Sequence, residues 1–149
     1  MGSIQGAEAA TLIDLDSSLV QKYTHSLSIA ELARVYHVNG DSFTEDLNFI
    51  RTRSKVLTNI KQGTALRAAQ LRNQLVPLTR GGRSSGIGTV DCLLLAVALG
   101  MGARVISGDT DFEVISFPER YGRTRTQFEF TEGVQKVQLA DYVYFLGGT

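Results

Sequence analysis

The stretch Asp91–Phe112 constrains the fold of this 149-residue chain more than any other. An aspartate opens a long apolar run that closes at two glycines, Gly100 and Gly102. A second, shorter apolar run over 103–107 then leads directly into the segment Gly108-Asp109-Thr110-Asp111. The pattern predicts an apolar helix stopped by its glycines, followed by a buried strand that ends in acidic residues.

Helical and extended patterns alternate along the rest of the chain. Helices are predicted over Leu27–His37, from Thr44, and from a Thr64 cap to Pro77 with an apolar stripe that includes Leu66, Ala69 and Leu75. The alternation predicts a single α/β domain over 1–149 with a mostly parallel sheet. The other predicted features are a frayed leader over 1–10, a strand or helix end at Thr11–Leu15, a turn at Asn39-Gly40-Asp41, a flexible basic loop at Arg80–Gly88, a Thr89 helix cap, and strands at Lys55–Ile60, Ala103–Ser107, Gln127–Phe130 and Val137–Leu146.

Composition narrows the class of protein. The apolar content of 43% is that of an ordinary globular core, and no run reaches the length of a membrane span. The N-terminus lacks the basic and apolar regions of a signal peptide. Cys92 is the one cysteine of the sequence, which excludes an intramolecular disulfide and a cysteine-based zinc site. These features predict a cytoplasmic protein with no membrane partner.

Charge is balanced overall but unevenly distributed. Residues 1–50 carry seven acids and two bases, whereas residues 51–100 carry eight bases and one acid. A basic middle on a neutral chain can form a phosphate-binding face, and it can equally be solvated helix surface. The candidate nucleic-acid-binding residues are Arg72, Arg80 and Arg83.

The acids at the end of the predicted strand have the chemistry of a divalent metal site. Mg²⁺ and Mn²⁺ prefer carboxylate oxygen, and a bound ion can activate water and stabilise charge on a phosphate. In extended backbone Asp109 and Asp111 would point to opposite faces, so we expect a turn that Gly108 permits. Each acid also has a plain structural interpretation, as a charge at a helix N-terminus for Asp91 or as a turn former for the other two.

Three segments together resemble the PIN-domain nucleases, a family that includes the VapC toxins. They are Ser28–Arg34, which contains Glu31, the alanine-rich Thr64–Arg72, and Asp91–Phe112. The third segment is the most specific, because its helix, strand and terminal Asp-x-Asp-Phe all fit. The resemblance implies a three-layer α/β/α fold with a mostly parallel central sheet.

The resemblance also implies a function and a site. It implies endonucleolytic cleavage of RNA by water activated on Mg²⁺ or Mn²⁺, in a homodimeric toxin paired with a small antitoxin protein. The implied catalytic residues are Glu31, Asp91 and Asp109. The implied metal ligands are these three with Asp111 and Asp16, and Ser107 would orient a carboxylate or a water.

The N-terminal acid leaves two alternatives open. Asp16-Ser17-Ser18 has the look of the family's first acid, yet it stands only fifteen residues before Glu31. Either the first helical layer is shortened, or residues 7–23 match the helix before the second strand and the first strand is absent. In the second case Asp16 is not a ligand.

Two other functions compete with the nuclease. The segment around Asp14 and Asp16 also resembles the first motif of haloacid-dehalogenase phosphatases, with Asp14 as nucleophile, Asp16 as general acid/base and Ser107 as phosphate ligand. Lys136 would be the lysine of that family, but the chain lacks its later acidic motif and the interpretation leaves Asp91 unexplained. A catalytically degenerate PIN-like interaction module is the second alternative.

Overall fold

The computed structural model describes residues 14, 20–39, 42–77, 79–132 and 134–147. The chain divides into two compact units. We call the described residues from 14 to 59 the N-terminal unit and those from 60 to 147 the C-terminal unit. The predicted leader and, apart from Asp14, the predicted element at Thr11–Leu15 lie outside the described residues. Asp14 itself is exposed and belongs to no helix or strand.

The N-terminal unit contains two strands and two helices. They are β1 (Tyr23–His25), α1 (Ser26–Asn39), α2 (Thr44–Arg53) and β2 (Lys55–Leu57). The strands pair in parallel, with Tyr23 opposite Lys55 and His25 opposite Leu57. The two predicted helices are confirmed, whereas the predicted strand stops at Leu57 instead of Ile60. The predicted turn falls at the end of α1, and its Gly40 and Asp41 lie outside the described residues.

The C-terminal unit contains the remaining elements. Its helices are α3 (Gln62–Leu75), α4 (Thr89–Met101) and the short α5 (Glu113–Ser116). Strands β5 (Val105–Ser107) and β8 (Val143–Phe145) pair in parallel. Two antiparallel pairs accompany them, β3 (Thr79–Arg80) with β4 (Arg83–Ser84) and β6 (Glu129–Glu132) with β7 (Gln135–Gln138). The predicted strand over Val137–Leu146 is therefore two strands, separated by a 3₁₀ turn at Leu139–Tyr142.

Helices α3 and α4 form the centre of the C-terminal core. Leu71, Leu75, Leu95 and Leu99 are at most 2% exposed, and they belong to one buried cluster with Phe145 of β8. Burial of such a side chain contributes about 1.5–3 kcal/mol to stability. The core therefore fixes α4 and the β5–β8 pair, the elements that carry the predicted acids. None of the helices in the described ranges has the length and apolar character needed to cross a membrane.

Helix α3 corrects two sequence predictions. It begins at Gln62 after an extended Lys61, whose carbonyl accepts a hydrogen bond from Ala65, so Thr64 lies inside the helix rather than at its cap. The buried stripe is Ala68, Leu71 and Leu75, whereas Leu66 is 61% exposed. Alanines and leucines occur on several faces of this helix, and packing against α4 selects the face that is buried.

The predicted flexible loop at Arg80–Gly88 begins as an ordered hairpin. Strands β3 and β4 place Arg80 opposite Arg83. Gly81 and Gly82 between them have φ values of +56° and +80°. Two consecutive positive φ values make a tight turn whose twist matches paired strands, and glycine adopts them without steric cost.

Candidate active site

The acidic loop begins at the carboxyl end of β5. The Ser107 hydroxyl accepts a hydrogen bond of 3.0 Å from the backbone N–H of Asp109. The N–H of Leu146, the residue after β8, donates to the Ser107 carbonyl at 2.8 Å and continues the pairing of β5 with β8. Ser107 therefore holds the backbone of the loop, and its hydroxyl acts on the Asp109 amide rather than on a carboxylate.

Asp109 makes the turn of this loop, in agreement with its predicted role as a turn former. Its Oδ1 accepts from the Asp111 N–H at 3.0 Å, and its carbonyl accepts from the Phe112 N–H at 3.1 Å. These bonds start a 3₁₀ turn over Thr110–Phe112, and Phe112 is 3% exposed in the core. Gly108 is not among the described glycines with positive φ. The turn comes from an aspartate side chain that bonds to its own backbone two residues on, a common local motif.

Asp91 lies in the first turn of α4. Its Oδ2 accepts a hydrogen bond of 3.2 Å from the Gly88 N–H, and Gly88 is the extended residue that precedes the helix. The predicted Thr89 cap is therefore wrong by one residue, because the helix begins at Thr89. At the other end Gly102 caps the helix with φ +65°, as predicted. The Asp91 carboxylate gains from the helix N-terminus and fixes the loop before it.

Gly86 lies directly against Asp111. It has φ +78°, and a Cβ atom added there would stand 2.3 Å from Asp111 Oδ1. A methyl group cannot occupy that position unless the carboxylate or the loop moves. Because Gly86 and Gly88 are two residues apart, the carboxylates of Asp111 and Asp91 contact one short stretch of backbone, which we call the glycine loop (residues 86–88). The sequence pattern showed these glycines only as flexible, and the left-handed φ with its close neighbour is visible only in the fold.

Two further predicted ligands belong to the N-terminal part of the chain. Glu31 is an exposed residue of α1 in the N-terminal unit, and Asp16 lies outside the described residues. Across the residues that the structure describes, no group of three or more His, Cys, Asp or Glu side chains is close enough to hold a metal ion. The carboxylate oxygens fit Mg²⁺ or Mn²⁺ by donor type, although the described side chains do not bring three such ligands together. The metal set stays a prediction.

A charged cluster follows the acidic loop. Glu113 Oε1 accepts hydrogen bonds from Nη1 of Arg80 and of Arg120, and Oε2 accepts from the Tyr121 hydroxyl at 3.3 Å. Burial alone would raise the pKa of Glu113, but the Arg120 hydrogen bond and the Arg80 charge outweigh it, so the pKa lies below its ordinary value. The sequence indicated Arg80 as a candidate and missed Glu113, since the contact between them joins residues thirty-three positions apart.

The other candidate arginines have different surroundings. Arg72 is exposed on α3, and its charge acts on the Cys92 thiol. Burial and the neighbouring Asp91 charge raise the pKa of that thiol to about 11, against the opposing effect of Arg72. Arg83 is exposed on the hairpin. The role of Arg72 and Arg83 in nucleic-acid binding stays a prediction.

Three residues of the phosphatase alternative lie within the described ranges. Asp14 belongs to the N-terminal unit, and the Ser107 hydroxyl is engaged by the Asp109 amide. Lys136 forms an ion pair of 3.3 Å with Glu129 across the β6–β7 pair. Asp16 lies outside the described residues.

Comparison with known families resolves the class of protein. The family pattern of the PIN domain matches residues 2–118, most of the chain. No curated protein and no solved structure matches the chain at a significant level. The match agrees with the resemblance drawn from the three sequence segments and not with the phosphatase alternative. PIN domains have a three-layer α/β/α fold and are usually nucleases that hydrolyse phosphodiester bonds, typically with divalent metals. This chain belongs to the PIN-domain family.

Proposed function

We propose that the protein is a metal-dependent endoribonuclease. The observation that carries the proposal is the glycine loop, which contacts the carboxylates of Asp91 and Asp111 within three residues of backbone. Asp111 follows the parallel strand β5, at the end where α/β proteins gather their functional groups, and Asp91 contacts the same glycine loop. Membership of a nuclease family supports the same chemistry.

The residues have distinct roles in this proposal. Asp91, Asp109 and Asp111 are the ligands from the C-terminal unit, and Glu31 with Asp16 are the ligands from the N-terminal segment. Glu31, Asp91 and Asp109 are the catalytic acids. The bound Mg²⁺ or Mn²⁺ would supply an activated water and charge stabilisation at the scissile phosphate. Ser107 fixes the backbone of Asp109 and so orients the acidic loop. Arg72, Arg80 and Arg83 bind the RNA.

The cellular role follows the subtype of the family that the sequence resembles. We propose a cytoplasmic homodimeric toxin, paired with a small antitoxin protein. Co-expression with the product of an adjacent small gene, followed by affinity purification and measurement of the molar mass, tests the pair and the dimer together. A monomer that co-purifies with no small protein would contradict this part and leave the nuclease assignment intact.

The nuclease is tested with a fluorescent single-stranded RNA in Mg²⁺ or Mn²⁺. We expect cleavage that stops in EDTA and falls at least about a hundredfold in Asp91→Asn, as when a group that stabilises transition-state charge is removed. Asp141→Asn is the matched control, because Asp141 is an exposed acid in the first turn of another helical segment, the 3₁₀ turn Leu139–Tyr142. Asparagine can still accept the Gly88 hydrogen bond, so thermal melting should show a folded variant. Cleavage that persists in EDTA and in Asp91→Asn would refute the proposal.

A binding module without cleavage is the second candidate. One observation favours it: within the described ranges, three potential ligands do not come together. Titration calorimetry with Mn²⁺ distinguishes the two functions. Binding that disappears in Asp91→Asn supports the nuclease, whereas a protein that binds no Mn²⁺ and cleaves no RNA supports the module.

A further inference from the structure

Glu113 gathers more positive charge than it can neutralise. Its Oε1 accepts from Arg80 and, at 2.5 Å, from Arg120, so one carboxylate serves two guanidinium groups. The Glu113 side chain is only 14% exposed, and its second oxygen is occupied by Tyr121. The three charged groups carry a net charge of one positive unit.

Aromatic side chains on the core side hold the guanidinium of Arg120 in place. Its guanidinium lies 4.1 Å from the centre of the Phe117 ring, a cation–π contact. Phe117 in turn packs edge-on against Phe145 of the core, with 6.1 Å between ring centres. Arg80, by contrast, has a half-exposed side chain. A guanidinium has five N–H donors in a planar fork, so the bond to Glu113 leaves donors on Arg80 that can meet a ligand.

The hairpin adds a third guanidinium to the same surface. Arg83 is exposed and stands directly opposite Arg80 across the Gly81-Gly82 turn. Like charges directly opposite each other destabilise an antiparallel pair. A glycine turn that holds two arginines in this position has a cost in stability, which a bound polyanion would offset. Arg80, Arg83 and Arg120 are hereafter the arginine cluster.

The arginine cluster is connected to the acidic loop at two points. Glu113 follows Asp111 by two residues, so their Cα atoms are within about 7 Å of each other. Gly86, which contacts the Asp111 carboxylate, follows β4 by two residues. A single nucleic-acid strand could therefore place one backbone phosphate on the arginine cluster and another at the acids.

We propose that the arginine cluster is a backbone-phosphate site for the single-stranded RNA substrate, and that Glu113 is the positioning residue that orients it. The inference rests on the proposed function and deepens it, because it assigns Arg120 and Glu113 to substrate binding. Arg80 and Arg120 bind phosphate oxygens next to the scissile bond, and Arg83 binds a phosphate further along the strand. The fork of a guanidinium matches a phosphate bidentately, which a lysine cannot do.

Binding of a short fluorescent single-stranded RNA, measured by anisotropy in EDTA at several salt concentrations, tests this site. We expect Arg80→Gln and Arg120→Gln each to weaken binding about tenfold at low salt. Each lost phosphate contact should also reduce the slope of log affinity against log salt by about 0.7. Arg104→Gln is the matched control, because Arg104 stacks on Tyr144 just before the amino end of β5, away from the acidic loop. It should change neither quantity.

Glu113→Gln separates positioning from simple charge. The change raises the net charge by one unit, so a surface that acts only through its charge would bind RNA more tightly. If Glu113 orients the arginines, binding becomes no tighter in spite of the added charge. Should Arg120→Gln fail to fold, Arg80→Gln and Arg83→Gln on the exposed hairpin decide the matter.

Several outcomes would overturn the inference. Arginine variants that bind RNA like Arg104→Gln exclude the site, and a Glu113→Gln protein that binds more tightly excludes the positioning role of Glu113. If the arginine variants also cleave RNA normally, the inference fails together with the RNA-binding role of Arg80 and Arg83, while the metal-dependent nuclease activity stands. A wild-type protein that neither binds nor cleaves RNA overturns both.

Discussion

Helix α4 of the C-terminal unit and helix α1 of the N-terminal unit each carry a predicted catalytic acid, but they differ in what they bury. Five residues of α4 are buried, whereas no side chain described on α1 is. Leu32 and Val35 of α1 are 39% and 54% exposed, and His25 is the one buried residue among those described in the N-terminal unit. Asp91 is thus held by a packed frame, while Glu31 lies on an exposed helix. Precise catalytic geometry requires such a frame, so the contrast makes Asp91 the better supported of the two candidate acids.

Packing should separate the two helices most clearly. Leu95→Ala removes a fully buried side chain of α4, and we expect it to lower the free energy of unfolding by about 2–5 kcal/mol. Val35→Ala on α1 should change it by about 0.5 kcal/mol or less, because the side chain is already half exposed. Urea denaturation measures both values. Equal losses would remove the distinction between the helices.

Substitution of Glu31 tests whether the exposed helix takes part in catalysis at all. We expect Glu31→Gln to reduce RNA cleavage by about a hundredfold, since the proposal makes it a catalytic acid and a metal ligand. Glu45→Gln in the first turn of α2 is the control, another exposed glutamate on a helix of the same unit. A normal rate for Glu31→Gln would confine the active acids to the C-terminal unit.

Buried Cys92 should make the free energy of unfolding depend on pH in alkaline solution. Its pKa is raised from 9.0 to about 11, mainly by burial, so the folded state retains a proton that the unfolded state loses. This contribution is complete below pH 9 and is lost as the pH rises through 11. It amounts to about 2–3 kcal/mol at about 1.4 kcal/mol per pKa unit. Unfolding measured in EDTA from pH 8 to 11 should show a steeper fall for wild type than for Cys92→Ala. The same pH dependence in wild type and Cys92→Ala would refute a contribution of the Cys92 thiol to stability.

The smallest expected effect concerns the glycine loop. Gly86→Ala and Gly102→Ala both place alanine at a positive φ, at a cost of about 1–2 kcal/mol each. Only the Gly86 methyl would meet the Asp111 carboxylate; nothing lies within 4 Å of the corresponding position at Gly102. We therefore expect Gly86→Ala to cleave RNA about tenfold more slowly than Gly102→Ala, because misplaced catalytic groups lose rate. Equal rates would argue against a role for the loop in positioning Asp111.

Local patterns predicted the elements better than their contacts. The sequence indicated α4, its Gly102 stop and the acids after β5, because an apolar run and its flanking glycines act within a few residues. In the predicted α3 stripe Leu75 is buried, but Leu66 and Ala69 are exposed; they look as apolar as Ala68 and Leu71 until α4 packs on one face. The sequence indicated both Gly108 and Asp109 as residues that could form the loop turn, and Asp109 makes it through its side chain. Several residues in such a loop can form a turn, and only the folded backbone shows which of them does so.

The sequence by itself determined the family, the order of helix, strand and acids from Asp91 to Phe112, and the absence of a disulfide within the chain. Tertiary structure decided which groups meet. The Asp111 carboxylate lies against Gly86, and the Glu113 carboxylate holds Arg80 from a hairpin thirty-three residues earlier in the chain. No local pattern encodes such contacts, because they arise when the buried leucines of α3 and α4 and the β5–β8 pair fix the surrounding loops in place. The candidate acids were visible in the sequence, while the contacts of the glycine loop and of the arginine cluster appeared only in the folded chain.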